Sequence, residues 1–190
     1  MSLFRRRGTD RAEPRYYVRD AAQADLPAVL RMKAASWREA YGHVWDEEFF
    51  QRAESTLDRQ VEHWRGTLER GIPVWMAEDE SGRCVGMACA VPARSEHVRD
   101  RADLPATELS AIYVLQSAQG SGVAEILLDR ALGDAPAFLR VLADNPRARA
   151  FYRRHGFHDD GPPRDMDGPW AGLQEQLMVR RGGPGPDRTP

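Results

Sequence analysis

Leu115-Gln116-Ser117-Ala118-Gln119-Gly120-Ser121-Gly122-Val123-Ala124 is the stretch of this 190-residue chain that carries the most information. It ends the run Glu108-Leu109-Ser110-Ala111-Ile112-Tyr113-Val114-Leu115, whose β-branched and aromatic residues predict a strand. It opens a segment in which Ile126, Leu127, Leu128 and Leu132 recur at helical spacing. The expectation is strand, turn, helix, with two glycines in the turn. Glycine lacks a Cβ, so the backbone there can take positive φ and approach a ligand closely. The first amides of a helix have no intrahelical partner and suit a phosphate. A loop that only connects two elements would carry the same glycines. Two nucleotide motifs are excluded. In G-x-G-x-x-G the third glycine position falls on Glu125, whose charge would repel a pyrophosphate. A Walker loop fails because no Gly-Lys-Ser/Thr follows.

Working outward, Phe138-Leu139-Arg140-Val141-Leu142 predicts a further strand, Pro146 to His155 a helix, and Leu173 to Arg180 a last strand. Upstream, Pro73 to Ala77 and Cys84 to Val91 flank the turn Asp79-Glu80-Ser81-Gly82 and predict a hairpin. Before the hairpin, Tyr16 to Arg19 reads as a first strand. A helix follows with Pro27 in its first turn, Asp20 or Asp25 at its cap and an apolar stripe from Leu26 to Trp37. A second helical stretch starts near Asp46, runs through Phe49, Phe50, Leu57, Val61, Trp64 and Leu68, and stops at Gly71. A charged loop spans Ala93 to Ala106. This order predicts a mixed α/β fold with antiparallel strands first and one strand-helix-strand unit later. Residues 15–180 form the expected single domain, with mobile arms at 1–14 and 181–190.

Composition narrows the function. Residues 1–15 carry a net +3 and residues 181–190 a net +1, so within a chain of net −2 the body is near −6. An acidic body argues against nucleic acid as a partner. No apolar run approaches the ~18 residues that span a bilayer, and the N-terminal arginines precede no apolar stretch, so no secretory signal is read and the expected location is cytoplasmic. Cys84 and Cys89 lie on one strand about 16 Å apart and point to opposite faces, beyond the ~7 Å reach of a disulfide. Free thiols are expected, and no metal site. Lys33 is the only lysine among many arginines, a skew that fits a GC-rich coding sequence.

Gln119-x-x-Gly122-x-Ala124, after Ile112-Tyr113-Val114 and before Leu127-Leu128, resembles the Q/R-x-x-G-x-G/A acetyl-CoA motif of the GNAT family of N-acetyltransferases. Ala124 stands where that family usually has glycine. A second match, Asn145-Pro146-Arg147-Ala148-Arg149-Ala150-Phe151-Tyr152-Arg153-Arg154-His155-Gly156-Phe157, resembles the family's N-x-x-A-x-x-F/Y-Y-x-x-x-G-F segment. Ser36 to Tyr41 is similar to its first helix. The resemblance implies a central sheet of about seven mostly antiparallel strands flanked by helices. It also implies acetyl transfer from acetyl-CoA to a primary amine by direct attack in a ternary complex.

The resemblance assigns Gln119, Gly120, Ser121, Gly122, Val123 and Ala124 to the phosphates, and the backbone of Ile112, Tyr113 and Val114 to the pantetheine arm. Tyr152 would be the general acid and Glu108 the base. Each has a plainer alternative: Tyr152 packing on its helix, Glu108 as an exposed strand-start carboxylate. Asn145 would contact the cofactor arm or cap the helix it precedes. His97, in the charged loop, is a reserve base. Trp37, Tyr41, Trp45, Phe49 and Trp64 recur at helical spacing, which makes most of them core and leaves some to face the acceptor. The expected acceptor is a small-molecule or peptide amine, and a homodimer is compatible. Two rival readings stand beside this one: a non-catalytic acyl-CoA-binding module, and the same chemistry on a protein N-terminus or lysine.

Overall fold

The computed structural model describes residues 16–42, 45, 47–93 and 101–182. The N-terminal arm, His97 and the tail from residue 183 onward lie outside the described residues. β1 (Tyr17–Asp20) leads through a 3-10 turn to α1 (Leu26–Tyr41), α2 (Glu47–Ser55) and α3 (Leu57–Glu69). The hairpin β2 (Trp75–Glu78) and β3 (Cys84–Pro92) follows, then β4 (Thr107–Val114), α4 (Val123–Leu132), β5 (Ala137–Leu142) and α5 (Pro146–Arg154). β6 (His158–Asp159), β7 (Arg164–Asp165) and β8 (Gln174–Arg180) complete the chain.

One eight-stranded sheet runs β1-β2-β3-β4-β5-β8-β6, with β7 also on β8. Every pairing is antiparallel except β4 with β5. The expected architecture is present, with one strand more than about seven. The surplus comes from β6 and β7, whose two residues each are too short to carry an alternating pattern.

α1 begins at Leu26-Pro27, where the missing proline N–H would have no intrahelical partner in any case. Asp25 does not cap it. Its carboxylate accepts the Ala22 N–H at 2.8 Å and pairs with Arg19 at 2.7 Å. The second helical stretch is broken at Thr56, which has non-helical dihedrals. The break lets two halves bury different stripes. Phe49 and Phe50 pack around Trp45, while Trp64 and Leu68 join the main core with Leu26, Val29 and Leu30.

Neighbouring strand residues point to opposite faces, and β3 and β4 show which helix takes which. A Cβ on Gly86 would come 2.9 Å from Leu127 Cδ1 and 3.2 Å from the Tyr113 carbonyl, so α4 rests on that glycine. On the other face, Tyr113 packs beside Trp37 of α1. Cys84 and Cys89 are buried free thiols within the core. A second cluster joins Leu109, Leu128, Leu132, Leu139, Val141 and Met178 to Tyr152 and Phe157. Arg181, placed by the sequence in a mobile tail, pairs with Asp160 at 3.0 Å and Asp103 at 3.3 Å. No helix among the described residues is long and apolar enough to cross a membrane.

Candidate active site

The centre of the sheet is split. β3 and β4 pair along seven positions from Gly86–Val114 to Pro92–Thr107, but β4 and β5 share only Glu108–Phe138. Beyond that rung no ladder joins β4 to β5, so Ile112, Tyr113 and Val114 lie on the part of β4 that diverges from its neighbour. A bulge accompanies the split. Cys89 pairs with Ala111 and Ala90 with Leu109, which leaves Ser110 as the extra residue on β4. Bulges bend a strand and raise its twist, and this one stands two residues past the last shared rung.

At the end of β4 the turn adopts the conformation its glycines permit. Gly120 has φ +79 and Gly122 φ +89, and nothing lies within 4 Å of where a Cβ on either would sit. The amides of Gly120, Ser121, Gly122 and Ala124 donate to no backbone carbonyl among the described residues. Open space above unengaged amides at a helix N-terminus fits a phosphate. Two side chains of the turn bond back to it. Gln119 Nε2 donates to the Val114 carbonyl at 3.1 Å and Ser121 Oγ to the Ala118 carbonyl at 2.7 Å, while Val123 is buried core. Any anion would therefore meet backbone here. From α1, Glu39 accepts the Gln116 N–H at 2.7 Å and braces the turn.

Tyr152 sits on α5 and is 8% exposed. Burial pushes its phenol well above the ordinary value, with Tyr113 and Tyr41 adding to the shift. Tyr113 is pushed up to about 12, again chiefly by burial. These three phenols keep their protons throughout the neutral range. Of the two readings of Asn145, the structure shows the cap. Its Oδ1 caps α5 by accepting the Ala148 N–H at 2.9 Å, and its Nδ2 donates to the Tyr41 hydroxyl at 2.8 Å.

Glu108 stands at the last rung, its side chain 12% exposed and 3.9 Å from Arg140, which also reaches Glu175 at 3.3 Å. It is a partly buried carboxylate beside a guanidinium rather than a solvated strand end. Across the bulge opens a cavity of about 500 Å³ between α1, α3 and β4, lined by Lys33, Arg59, His63, Trp64, Ser110 and Tyr113. Nearby, Trp37, Tyr41, Trp45, Phe49 and Trp170 form one aromatic group, with Trp45 stacked on Phe49 at 4.5 Å and Trp170 edge-on to Trp37 at 4.9 Å. Trp64 is buried but also lines the cavity.

Three residues were not singled out as site residues by the sequence. Lys33 had a signal, a lone lysine inside an apolar helical stripe. Glu39 and Trp170 had none, because their contacts join segments far apart in the chain.

Comparison with known proteins agrees with this geometry. The family described as "Acetyltransferase (GNAT) family" matches residues 33–157. A Mycobacterium tuberculosis protein named as a probable N-acetyltransferase is 30% identical over 148 residues, covering 76% of this chain and 80% of that one. The PaiA N-acetyltransferase of Thermoplasma acidophilum, solved in complex with coenzyme A, superposes with a TM-score of 0.64 at 16% identity, over 88% of this chain and 99% of its own. YncA of Salmonella typhimurium, solved with its cofactor acetyl-CoA, superposes with a TM-score of 0.59 at 18% identity, over 86% and 92%. The split sheet, the glycine turn and these matches agree, and the chain belongs to the GNAT family of acetyltransferases.

Proposed function

We propose that this enzyme uses acetyl-CoA to acetylate the primary amine of a small molecule or peptide by direct attack. The observation that carries the reading is the single rung between β4 and β5, past which β4 runs without a β5 partner toward an open glycine turn whose amides at Gly120, Ser121, Gly122 and Ala124 meet no backbone carbonyl among the described residues. The amides of Gly120, Ser121, Gly122, Val123 and Ala124 would hold the phosphates, with Gln119 bracing the turn. The exposed edge at Ile112, Tyr113 and Val114 would pair with the amide-bearing arm as a missing strand does. Acetyl-CoA supplies an acyl group activated as a thioester.

Only the neutral amine attacks, so one proton must leave the nitrogen. Glu108, at the last rung and two residues from the bulge, is the base we assign, acting directly or through water. The new N–C bond forms as the C–S bond breaks, the electron pair departs on sulfur, and the nitrogen sheds its second proton to solvent. Tyr152 would meet that charge. An ordinary thiol titrates near ~8.5, and burial holds the Tyr152 phenol above its own ordinary value. Complete proton transfer from phenol to thiolate is therefore uphill. The role that fits is a charge-assisted hydrogen bond to the leaving sulfur, whose proton finally comes from solvent. Asn145 would steady this end of the site through its cap and its bond to Tyr41. The two free cysteines are in keeping with a reducing compartment, and the reading assigns the enzyme to the cytoplasm.

Calorimetric titration with acetyl-CoA, beside dephospho-CoA and NAD, tests the cofactor half. Saturable binding selective for acetyl-CoA is expected. Absence of binding would overturn the reading and leave a fold with another use.

A further inference from the structure

Lys33 is the only lysine in the chain, and α1 carries it into the protein. Its ammonium lies 5.7 Å from the ring centroids of Trp37 and Tyr113 and 6.0 Å from that of Trp64. No carboxylate pairs with it among the described residues. Aromatic faces offset part of the cost of burying a cation, and burial still pulls its pKa down. A carboxylate placed there by evolution would have served stability better.

The cavity that Lys33 lines contains Arg59 and His63 as well, and it adjoins a recess of about 410 Å³ that shares His63, Trp64 and Ser110 and adds Arg70. Among the described residues, neither cavity is lined by an Asp or Glu. Arg59 and Arg70 are exposed and make no ion pair among the described residues. Other arginines, among them Arg19, Arg38, Arg101, Arg149 and Arg153, each hold a carboxylate within 3 Å. Two cations with no ion pair among the described residues, Lys33 and Arg59, therefore line one hollow, and a third, Arg70, lines the recess beside it. The floor of the hollow is the β4 bulge, at Ser110 and Ala111.

We propose that this hollow is the acceptor site and that it selects amines carrying an anionic group, a carboxylate or a phosphate, held by Lys33 and Arg59 with Arg70 in the adjoining recess. The proposal rests on the transferase reading above. The same positive field disfavours the protonated ammonium relative to the neutral amine, so the anion-binding side chains also favour the reactive form of the acceptor. A purely cationic polyamine would be repelled.

The test titrates the protein, saturated with coenzyme A, with paired acceptors while following tryptophan fluorescence, to which Trp64 in the cavity wall contributes. The pairs are L-methionine against L-methioninamide, 4-aminobutanoate against 4-aminobutanamide, and phosphoethanolamine against ethanolamine. The anionic member of at least one pair is expected to bind ten-fold tighter or better, and which pair responds separates carboxylate from phosphate. That preference should vanish in Lys33→Met and Arg59→Gln, with acetyl-CoA affinity retained. Equal binding within all pairs, a preference for the neutral members, or a preference that survives both variants would overturn the proposal. Should Lys33→Met not fold, the exposed Arg59→Gln and Arg70→Gln substitutions carry the same comparison. Failure of acetyl-CoA to bind the unaltered protein would instead count against the transferase reading and take this proposal with it.

Discussion

The Asn145 amide donates to the Tyr41 hydroxyl at 2.8 Å across 104 residues of sequence, while its Oδ1 caps α5. One side chain thus fastens the end of α1 to the start of the helix that carries Tyr152. Asn145→Ala removes both bonds and should cost about 1–2 kcal/mol, the usual range for a lost cap. Asn145→Asp keeps the acceptor for Ala148 and loses only the donor, so its cost should be smaller. Urea unfolding of the two variants checks the order. Equal losses would show that the Tyr41 bond contributes alone.

Gly122→Val forces a β-branched residue into φ +89, where an L side chain costs roughly 1–2 kcal/mol. The added methyls would fill the space above the free amides. Acetyl-CoA affinity should fall by at least about tenfold, or 1.4 kcal/mol, with the circular dichroism of the fold retained. Titration against the unaltered protein reads the difference, and unchanged affinity would sink the phosphate assignment.

Tyr152→Phe keeps the ring in its cluster with Leu128 and Phe157 and removes the hydroxyl. If that hydroxyl bonds the departing sulfur, kcat should drop by about 10²–10³, while acetyl-CoA affinity changes little. Steady-state rates paired with calorimetry separate the two effects. An unaltered kcat would assign Tyr152 to packing.

Alkali should weaken the fold in a defined window. Burial pushes the Cys84 thiol up to about 11 and the Cys89 thiol up to about 12, against ~8.5 in an unfolded chain. Between those values the unfolded thiols have lost protons that the folded ones still hold, so stability falls as pH rises. It is fully present below about pH 8.5 and is lost as pH climbs through the folded values. Urea midpoints should decline across that range, and less steeply in the Cys84→Ala/Cys89→Ala double variant. A parallel decline in both proteins would show that the thiols do not titrate this way.

The parts of the fold and site that were legible share a short range in sequence. Gln119 to Ala124 declares its turn through two glycines within four residues. Asn145 and Pro146 announce a helix start locally, and the cap is present as that local pattern allows. The splaying of β4 from β5 was not legible in the residues, because alternation reports a strand's faces and says nothing of its neighbour. The break at Thr56 was not legible, since the apolar spacing continues through it. Glu39 reaching Gln116 and Trp170 reaching Trp37 depend on the completed tertiary fold. Lys33 was visible but attributed to codon bias, because a sequence does not show that a helix turns its lysine toward three rings.

The lone rung at Glu108–Phe138 also bears on how long the protein lasts. A sheet interrupted at its middle leaves an open seam between its halves, and a ligand held along β4 there would give that edge the partner it lacks. Binding to the folded form alone stabilises it in proportion to the logarithm of ligand excess, about 2.7 kcal/mol at a hundredfold. Resistance to heat and proteolysis would then track the supply of acetyl-CoA. Starved of it, the enzyme would be cleared fastest when it has least to do.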